Sequence, residues 1–144
     1  MATYAKYFLE ELTKLKPFEV LVKTDEKEIK TKVLMVAICN ARKYGTGVPL
    51  NIIGNPMDGK FEIVLIEKID AKALLAAGLS AFNDKFYDAQ TSRVIQTDSA
   101  EVIFDQPRLL QLDGEVIQSY HSLKIELLKG AVNLITNKDN LNLT

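Results

Sequence analysis

Apolar and polar residues alternate along most of this chain, and the period of that alternation changes once, near the start. Over residues 3–15 the apolar positions Tyr4, Tyr7, Phe8, Leu12 and Leu15 recur at helical spacing, which predicts one amphipathic helix. Thr3 is placed to cap it and Pro17 to stop it. The stripe suits packing on a sheet or docking against another domain or chain, including a second copy in a homodimer. From Phe18 the period drops to two. Phe18, Val20 and Val22 alternate with Glu19, Leu21 and Lys23, a strand pattern. The charged segment Thr24–Glu28 predicts a hairpin tip, and Ile29–Asn40 is expected to run back. Its centre, Val33–Cys39, is apolar at every position, as in a strand covered on both faces.

From Asn40 to Lys60 the periodicity fails. The stretch holds Gly45, Gly47, Pro49, Gly54, Pro56 and Gly59, and an irregular segment of this length in a compact domain is usually functional or mobile. Phe61–Ile66 restores a strand. Asp70 is placed to cap a short helix over 71–77 that Gly78 ends. A polar connection with Phe82, Phe86 and Tyr87 follows. Strands are then expected at 93–97, 101–105, 109–112, 116–120, 122–128 and 131–136, with a polar tail after them. Many short strands and two helices predict a mainly β fold, a β-sandwich of short antiparallel strands with an N-terminal helix and one short internal helix. The 144 residues suit a single domain.

Composition narrows the functional classes. The net charge of -1, with no basic block, gives no footprint for nucleic acid. The apolar runs are too short for a membrane-spanning helix, and the first residues lack a secretory pattern. These features suit the cytoplasm. The single cysteine, Cys39, closes an apolar run and reads as a core thiol. The single histidine, His121, is expected to start a strand and to be structural or exposed.

Three segments carry candidate chemistry. Leu112-Asp113-Gly114-Glu115 sets two carboxylates around a glycine. In an extended segment Asp113 and Glu115 share one side, roughly 6–7 Å apart, and such a pair can serve as a base with its partner or as metal ligands. Asp-Gly is equally a turn signal. Asn55–Lys60 places oxygen donors at Asn55 and Asp58, which suit a hard cation or an ordinary turn. Tyr44-Gly45-Thr46-Gly47 can offer backbone N–H groups to an anion.

Taken in order, Asn40, Tyr44-Gly45-Thr46-Gly47, Pro49, Asp58-Gly59-Lys60-Phe61-Glu62-Ile63-Val64 and Leu112-Asp113-Gly114-Glu115 resemble the C-terminal domain of the bacterial lipid kinases related to diacylglycerol kinase and sphingosine kinase, within the NAD kinase-like superfamily. The resemblance spans residues 3–136. It implies the substrate and catalytic-base half of a two-domain enzyme that phosphorylates a lipid hydroxyl with ATP. Asp113 or Glu115 would be the base, and Asn40, Gly45 and Gly47 would contact substrate. Asn55, Asp58 and the carbonyl of Lys60 would hold a structural Mg²⁺. The family's Gly-Gly-Asp-Gly-Thr motif, carried by its N-terminal nucleotide-binding domain, has no counterpart here, so that domain would be a partner and this chain alone would be inactive. A lipid substrate also implies peripheral contact at the inner membrane face. Where the family often has three successive glycines, this chain has Gly45-Thr46-Gly47. The competing readings are a non-catalytic β-sandwich that binds a lipid or protein, and a structural oligomerisation module.

Overall fold

The computed structural model describes residues 14–44, 48–70 and 90–133. Nine strands occur in this order: β1 (Phe18–Lys23), β2 (Glu28–Val33), β3 (Met35–Cys39), β4 (Lys43–Tyr44), β5 (Val48–Pro49), β6 (Phe61–Ile69), β7 (Gln90–Thr97), β8 (Ser99–Leu112) and β9 (Glu115–Glu126). They form a four-stranded sheet ordered β2-β1-β8-β9, a three-stranded sheet ordered β3-β6-β7 and the short β4-β5 ladder. All pairings are antiparallel. The two larger sheets pack face to face as a β-sandwich, the predicted fold class. Residues 3–13 of the first expected helix, the helix expected over 71–77, the segment Gly45–Gly47, the aromatic connection and the end of the last predicted strand lie outside the described residues, and Leu15, expected to close the first helix, is not helical.

The period-two alternation explains how the sheets meet. Val20, Val22 and Val33 from β1 and β2, and Ala100, Val102 and Phe104 from β8, point inward from one sheet. Phe61, Ile63, Leu65 and Ile95 meet them from the other. Half-buried Leu123 and Ile125 of β9, with Leu127 beyond it, pack against this cluster, as their alternation predicts. Removing these side chains from water is the main force holding the layers together.

β6 differs from the other strands. Its first six residues, Phe61–Ile66, are all buried. Val64 and Ile66 point away from the sandwich core and join Leu50 in a second cluster, packed by Met35, Ala37, Cys39, Ile69 and Val94. The strand with both faces covered is therefore β6. The apolar run Val33–Cys39, expected to form one central strand, is divided: Val33 ends β2 in one sheet and Met35 begins β3 at the edge of the other. Leu34 carries the crossing, and its N–H donates to the Ile66 carbonyl at 2.7 Å. An apolar run marks burial, and burial here is shared by two strands on opposite sheets.

Other strand boundaries also shift. The separate strands predicted at 101–105 and 109–112 are one strand, β8, and those at 116–120 and 122–128 are one strand, β9. His121 accordingly lies within β9, exposed, and does not start a strand. Residues 131–133 are not a strand. Pro107, within β8, cannot donate to a ladder. It sits where the β8–β9 register shifts between Ile103 and Arg108, and a bulge tolerates it.

Candidate functional site

Two places carry the candidate chemistry, and different local causes build them. The first is the tip of the β8–β9 hairpin. Leu112 ends β8 and pairs with Glu115, which opens β9. Asp113 and Gly114 form the two-residue turn between them, with φ of 47° and 100°. Positive φ at both central positions matches the right-handed strand twist, and Asp-Gly is among the pairs that adopt it most readily. A Cβ on Gly114 would come no nearer than 4.0 Å, to Nε2 of Gln111, so the glycine supplies conformation and not room. The segment is therefore the turn that Asp-Gly signals, and not the extended one that would set both carboxylates on one side. Asp113 is in the turn, Glu115 is across from Leu112, and both are exposed. Neither carboxylate makes a side-chain hydrogen bond or ion pair with another described residue.

The second place is the loop that leads into β6. Its Asn55 and Asp58 form consecutive side-chain turns. Met57 N–H donates to Asn55 Oδ1 and Lys60 N–H to Asp58 Oδ1, both at 2.9 Å. Gly59, at φ 72°, lets the chain turn into the strand. Both turn signals are thus expressed, and the candidate donors lie together in one short stretch.

Beneath that loop is a polar cluster that the sequence reading did not single out. Glu62, on β6, is fully buried, as is Asn51. Asn51 Nδ2 donates to Glu62 Oε2 at 2.7 Å and to the Ala41 carbonyl at 3.3 Å. From the neighbouring strand β7, Gln96 Nε2 donates to Glu62 Oε1 at 3.1 Å and to Asp58 Oδ2 at 2.9 Å. Asn51, Glu62, Gln96 and Asp58 are therefore linked in series, from the interior to the loop surface. The packing is close: a Cβ on Gly54 would fall 2.5 Å from Asn51 Nδ2 and 2.7 Å from the Ala41 carbonyl carbon. Arg42 Nε donates to the Gly54 carbonyl at 3.3 Å, and Asn51 N–H to the Arg42 carbonyl at 3.2 Å. These bonds tie the loop back to the segment after β3. Asn51 Oδ1 is buried without a hydrogen-bond partner among the described residues. One signal was available in the sequence: Glu62 is the lone acid in the run Phe61–Ile66, where a buried strand would otherwise be apolar.

Cys39 lies across the ladder from Glu62. Burial first, and the Glu62 charge second, push its thiol from 9.0 up to about 11. The thiol therefore stays protonated at neutral pH and is a poor nucleophile, in agreement with the core reading. The unfolded chain loses this proton first as pH rises, so the contribution of Cys39 to folded stability is complete below about pH 9 and is lost toward pH 11. Chemical denaturation at pH 8 and pH 11 measures it, and Cys39→Ala is expected to lessen that decline.

Asn40 is exposed just beyond β3, at the start of the segment leading to this loop, and Gly45 and Gly47 lie outside the described residues. No hydrogen bond of the described residues connects the hairpin tip with the Asn55–Lys60 turn, so the structure does not join the predicted base with the predicted metal ligands. For a divalent cation, Asn55, Asp58 and the Lys60 carbonyl supply only oxygen, with a single negative charge. Each oxygen engaged by one N–H keeps a second lone pair. The set fits a hard ion that retains much of its water, as Mg²⁺ does. Among the described residues no group of three or more His, Cys, Asp or Glu side chains is placed to hold a metal. None of their helices is long and apolar enough to cross a membrane.

The molecule is thus an antiparallel β-sandwich domain with an irregular loop entering its doubly covered strand and a long acidic-tipped hairpin. The sequence pattern of the YegS C-terminal NAD kinase beta sandwich-like domain matches residues 1–136, and the chain belongs to that family. Similar solved structures come from Bacillus anthracis str. Sterne. One, described as a candidate diacylglycerol kinase, superposes with a TM-score of 0.62 at 20% identity, over 85% of this chain and 40% of that one. Another, described as a diacylglycerol kinase, gives a TM-score of 0.55 at 19% identity, over 86% of this chain and 44% of that one. This chain thus spans less than half the length of these structures. No curated protein sequence matches it significantly.

Proposed function

We propose that this domain supplies the proton-accepting carboxylate for ATP-dependent phosphorylation of a lipid hydroxyl, as part of a diacylglycerol kinase-like enzyme. The observation that carries this reading is the hairpin tip. Asp113 and Glu115 are exposed on a defined turn and are unengaged by the rest of the described residues, whereas the other carboxylate singled out by the sequence, Asp58, is held by Lys60 and Gln96. In the reaction the lipid hydroxyl oxygen forms a bond to the γ-phosphorus of ATP and the bond to ADP breaks. The hydroxyl proton passes to Asp113 or Glu115. ATP would be bound by a nucleotide-binding domain paired with this one, and Asn40, Gly45 and Gly47 would lie on the substrate side. The test is transfer of labelled γ-phosphate to diacylglycerol by an enzyme in which this sequence follows such a domain. Absence of transfer to any lipid alcohol would exclude the reading.

Mg²⁺ bound at Asn55 Oδ1, the Asp58 carboxylate and the Lys60 carbonyl would have a structural role, bracing the loop over Glu62. Millimolar Mg²⁺ is expected to raise the melting temperature of this chain by a few degrees, and Asp58→Asn to remove that shift. An identical melt with and without Mg²⁺ would count against the site.

One observation favours the alternative of a binding module. Leu109, Leu112, Val116 and Ile117 are 66%, 56%, 64% and 45% exposed along the same hairpin, and such surface often marks a contact. A kinase-inactive assembly that still captures lipid or protein through this hairpin would establish that reading.

A further inference from the structure

Among the described residues, the hairpin that carries Asp113 pairs with the rest of its sheet at one end. β1 supports β8 from Glu101 to Phe104. Beyond that point β8 and β9 continue as a two-stranded ribbon, paired at Arg108–Tyr120, Leu109–Ser119, Gln111–Val116 and Leu112–Glu115. A two-stranded ribbon has little stability by itself, so the way it leaves the sheet bears on its direction. Between the pairs Ile103–Ser122 and Arg108–Tyr120, β8 passes through Phe104, Asp105, Gln106 and Pro107 while β9 passes only through His121. Extra residues on one strand bend a ladder.

Arg108 spans that bend. Its Nη2 donates to Asp105 Oδ1 at 2.7 Å. Its guanidinium lies 4.3 Å from the centroid of the Phe18 ring on β1. Phe18 in turn meets Phe104 edge-on, with centroids 6.2 Å apart. The second oxygen of Asp105 accepts the Glu19 N–H at 3.4 Å. One side chain thus joins the first paired position of the ribbon to the bulge and to β1. Lysine could match the charge but has no planar guanidinium to engage Phe18 and Asp105 together.

We infer that Arg108 is a positioning residue: clamped on Phe18 and Asp105, it sets the direction of the ribbon and therefore the place of its acidic tip. This rests on the reading of that tip as the proton acceptor. From Arg108 to Asp113 is about 16 Å of extended chain. A tilt of about 4° at the base moves the tip by about 1 Å, and a displacement of that size can cost about a hundredfold in rate.

Residual dipolar couplings on the ¹⁵N-labelled chain test the clamp. In Arg108→Ala the amides of 109–112 and 116–119 are expected to depart from the alignment that fits β1 and β6, while Arg108→Lys restores part of the agreement. Unchanged ribbon couplings, or equal loss of fit across β1 and β6, would overturn the proposal. In the two-domain enzyme Arg108→Ala should lower kcat by about tenfold or more without changing KM for ATP, and Arg108→Lys should recover part of it. A fully active Arg108→Ala beside an inactive Asp113→Asn overturns the clamp alone. A fully active Asp113→Asn removes the tip from the chemistry, whatever Arg108 does.

Discussion

Asp113→Asn in the two-domain enzyme is expected to lower the rate of phosphoryl transfer about 10²–10⁴-fold, the usual contribution of a positioned acid or base, while leaving the fold as it is. The second half of that expectation comes from the turn. Asp113 and Gly114 occupy positive φ, and Asn-Gly is a preferred pair for the same hairpin turn. The substitution therefore keeps the backbone and removes only the ability to accept a proton. Single-turnover transfer to a lipid alcohol, with a melting curve on the same preparation, separates chemistry from folding. Glu115→Gln is the companion. It should leave most of the rate if Asp113 is the base. If it causes the larger loss, the roles of the two carboxylates are exchanged. Full activity in both variants would remove the hairpin tip from the mechanism.

The second large effect is on stability. Asn51→Ala is expected to destabilise the chain by about 3 kcal/mol, because truncation withdraws a short hydrogen bond from a buried carboxylate and leaves it underpaired. Among the described residues Glu62 would retain only the Gln96 amide, at 3.1 Å, and the loop would lose its tie to the Ala41 carbonyl at 3.3 Å. Urea denaturation measures the change as a lower midpoint at constant slope. Asn51→Asp should be worse still, since it sets a second carboxylate beside Glu62. An unchanged midpoint in both variants would mean that water, and not Asn51, satisfies Glu62. Because Gln96 connects Glu62 to Asp58, the same variant should also weaken any Mg²⁺-dependent rise in the melt.

The two candidate places differ in how much of them the residue pattern showed. Asp113-Gly114 and Asp58-Gly59 are local signals, and both are turns, since the φ values involved are set by nearest-neighbour sterics. The series Asn51–Glu62–Gln96, which runs from two buried residues to an exposed one, is not local. Gln96 lies 34 positions from Glu62 and reaches it only because β6 and β7 pair in one register. No spacing rule connects them. A carboxylate inside an apolar strand signalled that a partner must exist, without saying which.

The alternation of Val20 and Val22, of Val102 and Phe104, and of Leu123 and Ile125 was enough to determine a layered β fold, because side chains on a strand alternate between its faces whatever the strand pairs with. Charge and composition gave no footprint for nucleic acid, and the order of short motifs pointed to the lipid kinase family. Tertiary structure alone decided that Val33–Cys39 is shared between two sheets, that β6 and not that run is covered on both faces, and that β8 and β9 continue past the sheet as a ribbon. It also decided that Asp113 and Glu115 stand at the tip of that ribbon. Strand pairing and register are settled by contacts between residues far apart in the chain, and a one-dimensional pattern records which side chains must be buried but not against what.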